Sequence, residues 1–324
     1  MNVLLTSAGR RTSLLEAFKE AVYQRGGKVF AGDIDGLAPS LYLADQGFKL
    51  PKAKSPEYIP CLLELIEKHK IRLIVPTIDT ELPALSAASA EFKKRGCTAL
   101  VSSEELVAIS GDKWRSVKTF GERGLRVPRS WLPEEIAPEN QTNLPESLFI
   151  KPRDGSASQN TYRVSRSSLT SLLTQVPNPI IQEDIDSPEI TIDALLDLNG
   201  RIIHFVPRLR IRTLAGESIQ GVTIADTKIR SWLIQALDVI ASLGGRGPIT
   251  LQAFLTEGGP TISEVNPRFG GGFPLTLAAG GNYPEWILEM LEGKDVSPRL
   301  GEYKKGLYMT RYYVEIFKEE PLWQ

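Results

Sequence analysis

The chain has 324 residues, 42% of them apolar and 24% charged, with 38 Lys and Arg set against 39 Asp and Glu for a net charge of −1. That length allows about two domains with a sizeable core, and balanced charge without a long basic run argues against nucleic acid as the main partner. No charged N-terminal segment leads into an apolar one, and no run of about 18 apolar residues occurs, so neither a signal peptide nor a membrane partner is expected.

Over residues 1–110 short apolar runs alternate with amphipathic stretches. Val3–Thr6, Val29–Asp33, Leu73–Thr77 and Ala99–Ser102 read as buried strands, while Leu14–Gln24, Tyr58–Lys70 and Glu81–Arg95 carry apolar residues at helical spacing. This rhythm predicts an α/β unit, an open and mostly parallel sheet with helices on both faces. Ligands of such sheets bind beyond the carboxyl ends of the strands. Those ends carry Ser7-Ala8-Gly9-Arg10-Arg11, Asp33-Ile34-Asp35 and Thr77-Ile78-Asp79-Thr80-Glu81. Gly9 stands alone with arginines after it, so the first loop is not a dinucleotide fingerprint. It reads either as a pocket for a small anion or as a tight turn with surface arginines. Asp79 and Glu81 are placed to hold an amino group, with helix capping by Asp79 or Thr80 as the plainer account. Arg10, Asp33, Asp79 and Glu81 are the substrate candidates of this region.

After residue 110 the character changes. Gly111-Asp112-Lys113 opens a helix running to Gly124, and a proline-rich stretch follows from Pro128 to Pro145. Strands are expected at Leu148–Lys151, Tyr162–Val164, Ile180–Glu183, Ile190–Leu196, Ile202–Ile211, Thr250–Thr256 and Thr261–Asn266, with a helix near Ser231–Leu243. Strand-rich sequence with few helices predicts an α+β unit that does not simply extend the first sheet.

The chain has only two cysteines, Cys61 and Cys97, and two histidines, His69 and His204. The cysteines fit a reducing compartment, and the expected location is cytoplasmic. So few histidines leave little for a Ser/His hydrolase or a zinc site, and catalysis must rest on Lys, Arg, carboxylates and amides.

Four constellations carry such groups. In Phe149-Ile150-Lys151-Pro152-Arg153-Asp154-Gly155-Ser156 an apolar strand delivers a lysine to a small-residue loop. That suits a polyphosphate, and equally a plain surface turn. In the run from Ile180 to Asp193, the carboxylates Glu189 and Asp193 share one strand face with Thr191, as a ribose contact or as a half-solvated strand. Arg208, Arg210 and Arg212 also alternate, on a solvated face or around an anion. The sharpest run is Ser263-Glu264-Val265-Asn266-Pro267-Arg268-Phe269-Gly270-Gly271-Gly272. Glu264 and Asn266 share a face and offer hard oxygens suited to Mg²⁺. A three-residue loop at Glu257–Gly259 is expected to set Gln252 directly opposite Glu264, whereas a two-residue turn would set it on the other face.

With these four constellations in this order, the chain resembles the ATP-grasp superfamily over essentially its whole length. It is most like the synthetase units of the carbamoyl-phosphate synthetase large chain and related amino-acid ligases. The resemblance implies a Rossmann-like domain over residues 1–110, then an ATP-grasp domain with a small subdomain at 111–182 and a C-terminal subdomain at 183–324. It further implies that Lys113 and Lys151 contact ATP phosphates under a loop containing Ser156. Glu183, Asp184 and Ile185 would hold the adenine edge, and Glu189 the ribose. Gln252, Glu264 and Asn266 would ligate Mg²⁺, or Mn²⁺ in its place. Arg268, with Arg208 or Arg212, would neutralise the transferring phosphoryl group. The small-residue loop is poorer in glycine than usual, and Gln252 stands where many members have an acid. The implied function is a carboxylate–amine ligase working through an acyl phosphate on small-molecule substrates, alone, as a homodimer or with a partner subunit. The alternatives are a carbamoyl-phosphate synthetase component acting on bicarbonate and ammonia, and a nucleotide-binding regulator with a degenerate site.

Overall fold

The structure is a computed structural model that describes residues 1–136, 142–155, 160–214 and 217–319. The N-terminal unit holds β1 (Asn2–Thr6), β2 (Val29–Asp33), β3 (Gln46–Lys49), β4 (Ile71–Pro76) and β5 (Thr98–Ala99), parallel and in the order β3-β2-β1-β4-β5. Strand residues alternate between two cores. Val3, Leu5, Ala31 and Val75 pack with Leu15 and Phe18 of the helix Thr12–Tyr23. Leu4, Phe30 and Ile74 pack with Leu62 and Ile66 of the helix Tyr58–His69 on the other face. Strand order reverses between β1 and β4, which opens a crevice at their carboxyl ends.

Two details of this unit differ from expectation. The helical pattern after Glu81 breaks at Ala88 into Leu82–Ala87 and Ser89–Lys94. The strand expected at Ala99–Ser102 ends at Ala99, because Ser103 already caps the helix Glu104–Ser110 by accepting from the Leu106 amide at 3.2 Å.

A smaller antiparallel sheet follows, made of β6 (Ser130–Trp131), β7 (Ser147–Pro152), β8 (Tyr162–Ser165) and β9 (Pro179–Glu183), in the order β6-β9-β7-β8. Leu148, Ile150, Val164, Leu169 and Ile181 form its own core. The third sheet is antiparallel and larger. It contains β10 (Glu189–Leu196), β11 (Ile202–Leu214), β12 (Glu217–Thr223), β13 (Gly247–Thr256), β14 (Gly259–Asn266) and β15 (Tyr308–Thr310), in the order β14-β13-β10-β11-β12-β15.

One face of this sheet is aliphatic. Ile190, Ile192, Ala194, Leu251, Ala253, Ile262 and Val265 pack under Leu233, Ala236, Leu237 and Ile240 of the helix Arg230–Ser242. Phe120, from the helix Lys113–Glu122, joins the same core. Fully burying each aliphatic side chain contributes about 1.5–3 kcal/mol, which makes this face the dominant constraint on register. No helix among the described residues is long and apolar enough to cross a membrane.

The β13–β14 hairpin reaches its register by an unexpected route. Its turn is the two-residue Glu257-Gly258, with Thr256 opposite Gly259, and not the three-residue loop read from the sequence. Carried onward, that register sets Gln252 opposite Ser263 and turns Glu264 toward the aliphatic core. A bulge between Ala253 and Gln252 absorbs one residue, so that Gln252 faces Glu264 and Thr250 faces Asn266. The expected pairing holds; its cause is the bulge at Ser263.

Deleting Ser263 removes the bulged residue itself and leaves Ile262 and Val265 on the aliphatic face by plain alternation, so Glu264 and Asn266 are expected to stay on the polar face. The cost of the deletion should therefore fall well short of the about 3–5 kcal/mol of an uncompensated buried charge. Ser263→Ala removes a buried hydroxyl that has no hydrogen-bond partner among the described residues, so it should stay within about 0.5 kcal/mol of wild type. Urea midpoints of the two variants measure the difference.

Candidate functional site

Every polar side chain that the large sheet cannot place under its helix projects from the opposite face. Directly opposed residues of an antiparallel pair share a face. Glu189, Thr191 and Asp193 of β10 therefore lie with Gln252 and Thr250 of β13, Glu264 and Asn266 of β14, and Arg208 of β11. Between this face and the small sheet lies a cavity of about 800 Å³. Lys113, Lys151, Glu183, Asp184, Ile185, Glu189, Arg212, Gln252, Glu264, Asn266 and Arg268 all line it. Ser156, the remaining nucleotide-loop candidate, lies outside the described residues.

The two lysines are set by one ion pair. Asp112 caps the helix Lys113–Glu122 through the amides of Trp114 at 2.8 Å and Arg115 at 3.2 Å, and its second oxygen accepts from Arg153 Nη2 at 2.6 Å. Arg153 lies two residues beyond Lys151, so the pair ties β7 to the start of that helix. Lys113 Nζ donates to the Gly155 carbonyl at 3.0 Å. Burial pushes the Lys151 ammonium down to about 8; Glu264 and Glu189 oppose the shift and Lys113 adds to it.

On the same side Glu183 receives the Arg129 amide at 3.0 Å and Arg129 Nε at 2.7 Å. Asp184 receives Ser147 Oγ at 2.7 Å and Arg163 at 2.8 Å. The carboxylates of both residues are thus engaged by the small sheet.

The arginine strand departs from expectation. Arg208 is 2% exposed and donates from Nε to Asp193 at 3.0 Å, beneath the glycine turn and away from the cavity. A Cβ on Gly272 would stand 2.3 Å from its guanidinium, and one on Gly270 would stand 2.7 Å from Asp193. These two glycines are there to let the turn pack on that ion pair. Between Arg210 and Arg212 the register slips by one, so the expected three-arginine face ends at Arg210. Arg210 reaches the cavity and donates to Glu189 at 2.8 Å and to Gln252 Oε1 at 3.2 Å. Arg212 lines the mouth and is exposed. Alternation along the strand did not distinguish these three fates.

The N-terminal candidates also separate. Glu81 is fully buried; its carboxylate accepts from Ser7 Oγ at 3.0 Å, Tyr58 Oη at 2.7 Å and the Thr77 and Ile78 amides at 2.8 and 3.2 Å. Burial raises its pKa, and it stitches β1 to β4 instead of facing a ligand. Asp33 is 9% exposed and accepts from the Gly9 and Asp35 amides at 2.8 and 2.9 Å, holding its own turn. Arg10 is exposed on that loop. Only Asp79 reaches the site. It caps no helix; its Oδ2 accepts from Arg268 Nη2 at 2.6 Å.

Glu264, Asn266 and Asp79 converge. With its amide turned so that nitrogen faces them, Asn266 donates to Glu264 Oε1 at 3.2 Å and to Asp79 Oδ1 at 3.1 Å. The opposite rotamer sets three oxygens together, an arrangement that a cation stabilises. Among the described residues no three Asp, Glu, His or Cys side chains group as a metal site, so any ion here relies on at most two carboxylates plus amide oxygens. That donor set fits Mg²⁺, which keeps waters and takes its remaining ligands from phosphates.

Two family matches cover parts of the chain. Residues 3–100 match the family described as PylC-like, N-terminal domain, and residues 175–313 match ATP-grasp in the biosynthetic pathway with Ter operon. No curated protein matches. Among solved structures, the biotin carboxylase domain of Hydrogenobacter thermophilus 2-oxoglutarate carboxylase aligns at a TM-score of 0.76 and 14% identity, covering 94% of this chain and 73% of that one. The L-amino acid ligase from Bacillus licheniformis aligns at 0.69 and 19%, covering 90% and 74%. N5-carboxyaminoimidazole synthetase from Staphylococcus aureus, complexed with ADP, aligns at 0.73 and 14%, covering 94% and 79%. These likenesses bear out the resemblance read from the motifs: a Rossmann-like unit followed by an ATP-grasp fold.

The electrostatics of Lys151 are testable on the chain alone. In ¹³C-methylated protein its NMR titration midpoint should fall near 8. Glu264→Gln should lower it further, and Lys113→Ala should raise it. Because the folded value lies below the ordinary 10.5, this lysine's environment contributes full stability above about 10.5 and loses it as pH falls toward about 8. Lys151→Met is thus expected to raise Tm at pH 7 and to leave it unchanged above pH 10.5.

Proposed function

We propose that this ATP-grasp-fold chain is an ATP-dependent ligase that activates a carboxylate as an acyl phosphate and transfers the acyl group to an amine. The observation that carries the reading is the pairing across β13 and β14. It sets Gln252, Glu264 and Asn266 against Lys113 and Lys151 in one cavity, with Arg268 at its end. Two of the neighbouring folds, the carboxylase domain and the carboxyaminoimidazole synthetase, hold ADP, in the first case with magnesium.

A carboxylate at neutral pH is a poor electrophile, and phosphorylation equips it with a leaving group. Phosphoryl transfer asks for positioning and charge neutralisation more than for covalent help. Lys113 and Lys151 supply cations where a polyphosphate would lie, and Glu183 with the chain through Ile185 borders the base end of the cavity. Mg²⁺ on Glu264, Asn266 and Gln252 would neutralise phosphate oxygens. Arg210, which now spans Glu189 and Gln252, and Arg268 stand ready for the remaining negative charge. Arg208 has no part in this, since it is committed to Asp193. No histidine is needed: His204 is buried between Tyr283 and the Glu302 carbonyl.

The test is ADP and phosphate release with Mg²⁺ across carboxylic acids, amino-acid pairs and bicarbonate. Turnover on one carboxylate, lowered about 100-fold or more in Glu264→Ala at unchanged Tm, supports the ligase; removing one electrostatic group of this kind costs 10²–10³ in rate. Failure to bind ATP would sink it. A second expectation follows from Lys151. Bound phosphate should restore its proton, so ATP binding at pH 8.5 takes up protons in wild type and not in Lys151→Arg, as read by calorimetry in buffers of different ionisation enthalpy.

A further inference from the structure

Asp79 and Arg268 form an ion pair between the N-terminal unit and the turn after β14, and its geometry is incomplete. The contact is one-point, Arg268 Nη2 to Asp79 Oδ2 at 2.6 Å. Nη1 donates to the Phe269 carbonyl at 3.0 Å, and Nε is buried with no partner among the described residues. The Nε–Nη2 edge, which can grip both oxygens of a carboxylate, is therefore half used. Both side chains keep some access, at 13% for Arg268 and 25% for Asp79.

We propose that the substrate carboxylate belongs to an amino acid, bound as a zwitterion with its carboxylate on Arg268 and its ammonium on Asp79. This rests on the ligase reading above. A carboxylate that takes the full edge of Arg268 displaces Asp79 Oδ2. Asp79 then loses its one ion-pair partner among the described residues, and its charge stands unpaired. A ligand with an ammonium beside its carboxylate refills that gap, exchanging one internal ion pair for two intermolecular ones at constant net charge. A des-amino acid leaves a surplus negative charge in a partly buried site, which is costly. The other acids read from the N-terminal loops are committed elsewhere, since Glu81 is saturated by its four donors and Asp33 ties the loop after β1 to its own turn.

The experiment uses the full chain with Mg²⁺ and a non-hydrolysable ATP analogue. Calorimetry compares glycine and the nineteen chiral protein amino acids, the latter as L and D forms, with their des-amino counterparts, for example alanine with propionate and glutamate with glutarate. At least one amino acid should bind about tenfold or more tightly than its counterpart, a difference of one ion pair. In Asp79→Asn the two should fall within about threefold, and Asp79→Glu should restore part of the preference. Unchanged Tm and unchanged analogue affinity in Asp79→Asn show that the fold and the nucleotide site survive. No amino acid preferred over its counterpart, or a preference intact in Asp79→Asn, overturns the proposal. ADP release driven only by a des-amino acid overturns it while leaving the ligase standing. Amino-acid binding lost in Asp79→Asn, without ADP release on any acid, supports the zwitterion site and removes the ligase.

Discussion

The arrangement depends on the aliphatic face of the large sheet. Ile190, Ile192, Leu251, Ala253, Ile262 and Val265 must all lie under the helix Arg230–Ser242, and strict alternation along β14 cannot satisfy that. Ile262 and Val265 are three residues apart, so one residue between them has to leave the ladder. Ser263 is that residue, and its displacement turns Glu264 and Asn266 onto the polar face beside Gln252. The chemistry of the site is thus set by a packing requirement on the other side of the same strand.

Charge on the polar face sorts by depth. Arg208 and Asp193, each 3% exposed at the side chain, form a buried pair with one nitrogen and one oxygen left without a partner among the described residues. Breaking such a pair is expensive although its net contribution is small, so its role is to specify how the glycine turn seats. Nearer the cavity, Arg210–Glu189 and Arg268–Asp79 retain access at 14% and 30%, and at 13% and 25%. Their partners can be exchanged for those of a ligand at lower cost. The same residue types therefore act as scaffold below and, on the proposed reading, would serve as recognition groups above.

Much of this was legible in the sequence because buried strands announce themselves as aliphatic runs: β2 was read to the residue, and β7, β9, β10 and β14 to within about two. Strands without such runs, Gln46–Lys49, Glu217–Thr223 and Tyr308–Thr310, went unread, since they lie at or next to sheet edges where little apolar surface is buried. The cavity residues from Lys113 to Arg268 were legible as an ordered set of motifs. What a single sequence could not supply was the destination of each charge. Arg208 and Arg210 look alike until Asp193 is found beneath one and Gln252 beside the other. Asp79 and Glu81 sit two residues apart, yet one crosses to Arg268 and the other vanishes among Ser7, Tyr58 and two amides. The spacing of Ile262 and Val265 was the one signal that could have revealed the bulge.

The interfaces around the site differ in kind. Phe18 of the N-terminal unit meets Phe269 edge-on at 5.9 Å, within a core that also holds Leu15, Leu195, Phe273 and Trp286. Arg25 adds contacts to Glu285 at 2.6 Å and Glu292 at 2.7 Å. The N-terminal unit and the large sheet thus share one apolar core, and Asp79 is held against Arg268 by packing as well as by charge. The small sheet keeps a separate core and borders the cavity with the charged groups Lys151, Arg163 and Glu183 beside Phe149 and Pro152. Apolar cores resist displacement because each lost contact exposes surface, whereas charged contacts can be re-formed with water or phosphate. On the proposed reading, a zwitterion between Asp79 and Arg268 would be held by the two units that share a core, and a nucleotide between the lysines and Glu264 by the seam between two cores. On that reading, substrate selection and nucleotide binding would be separable properties.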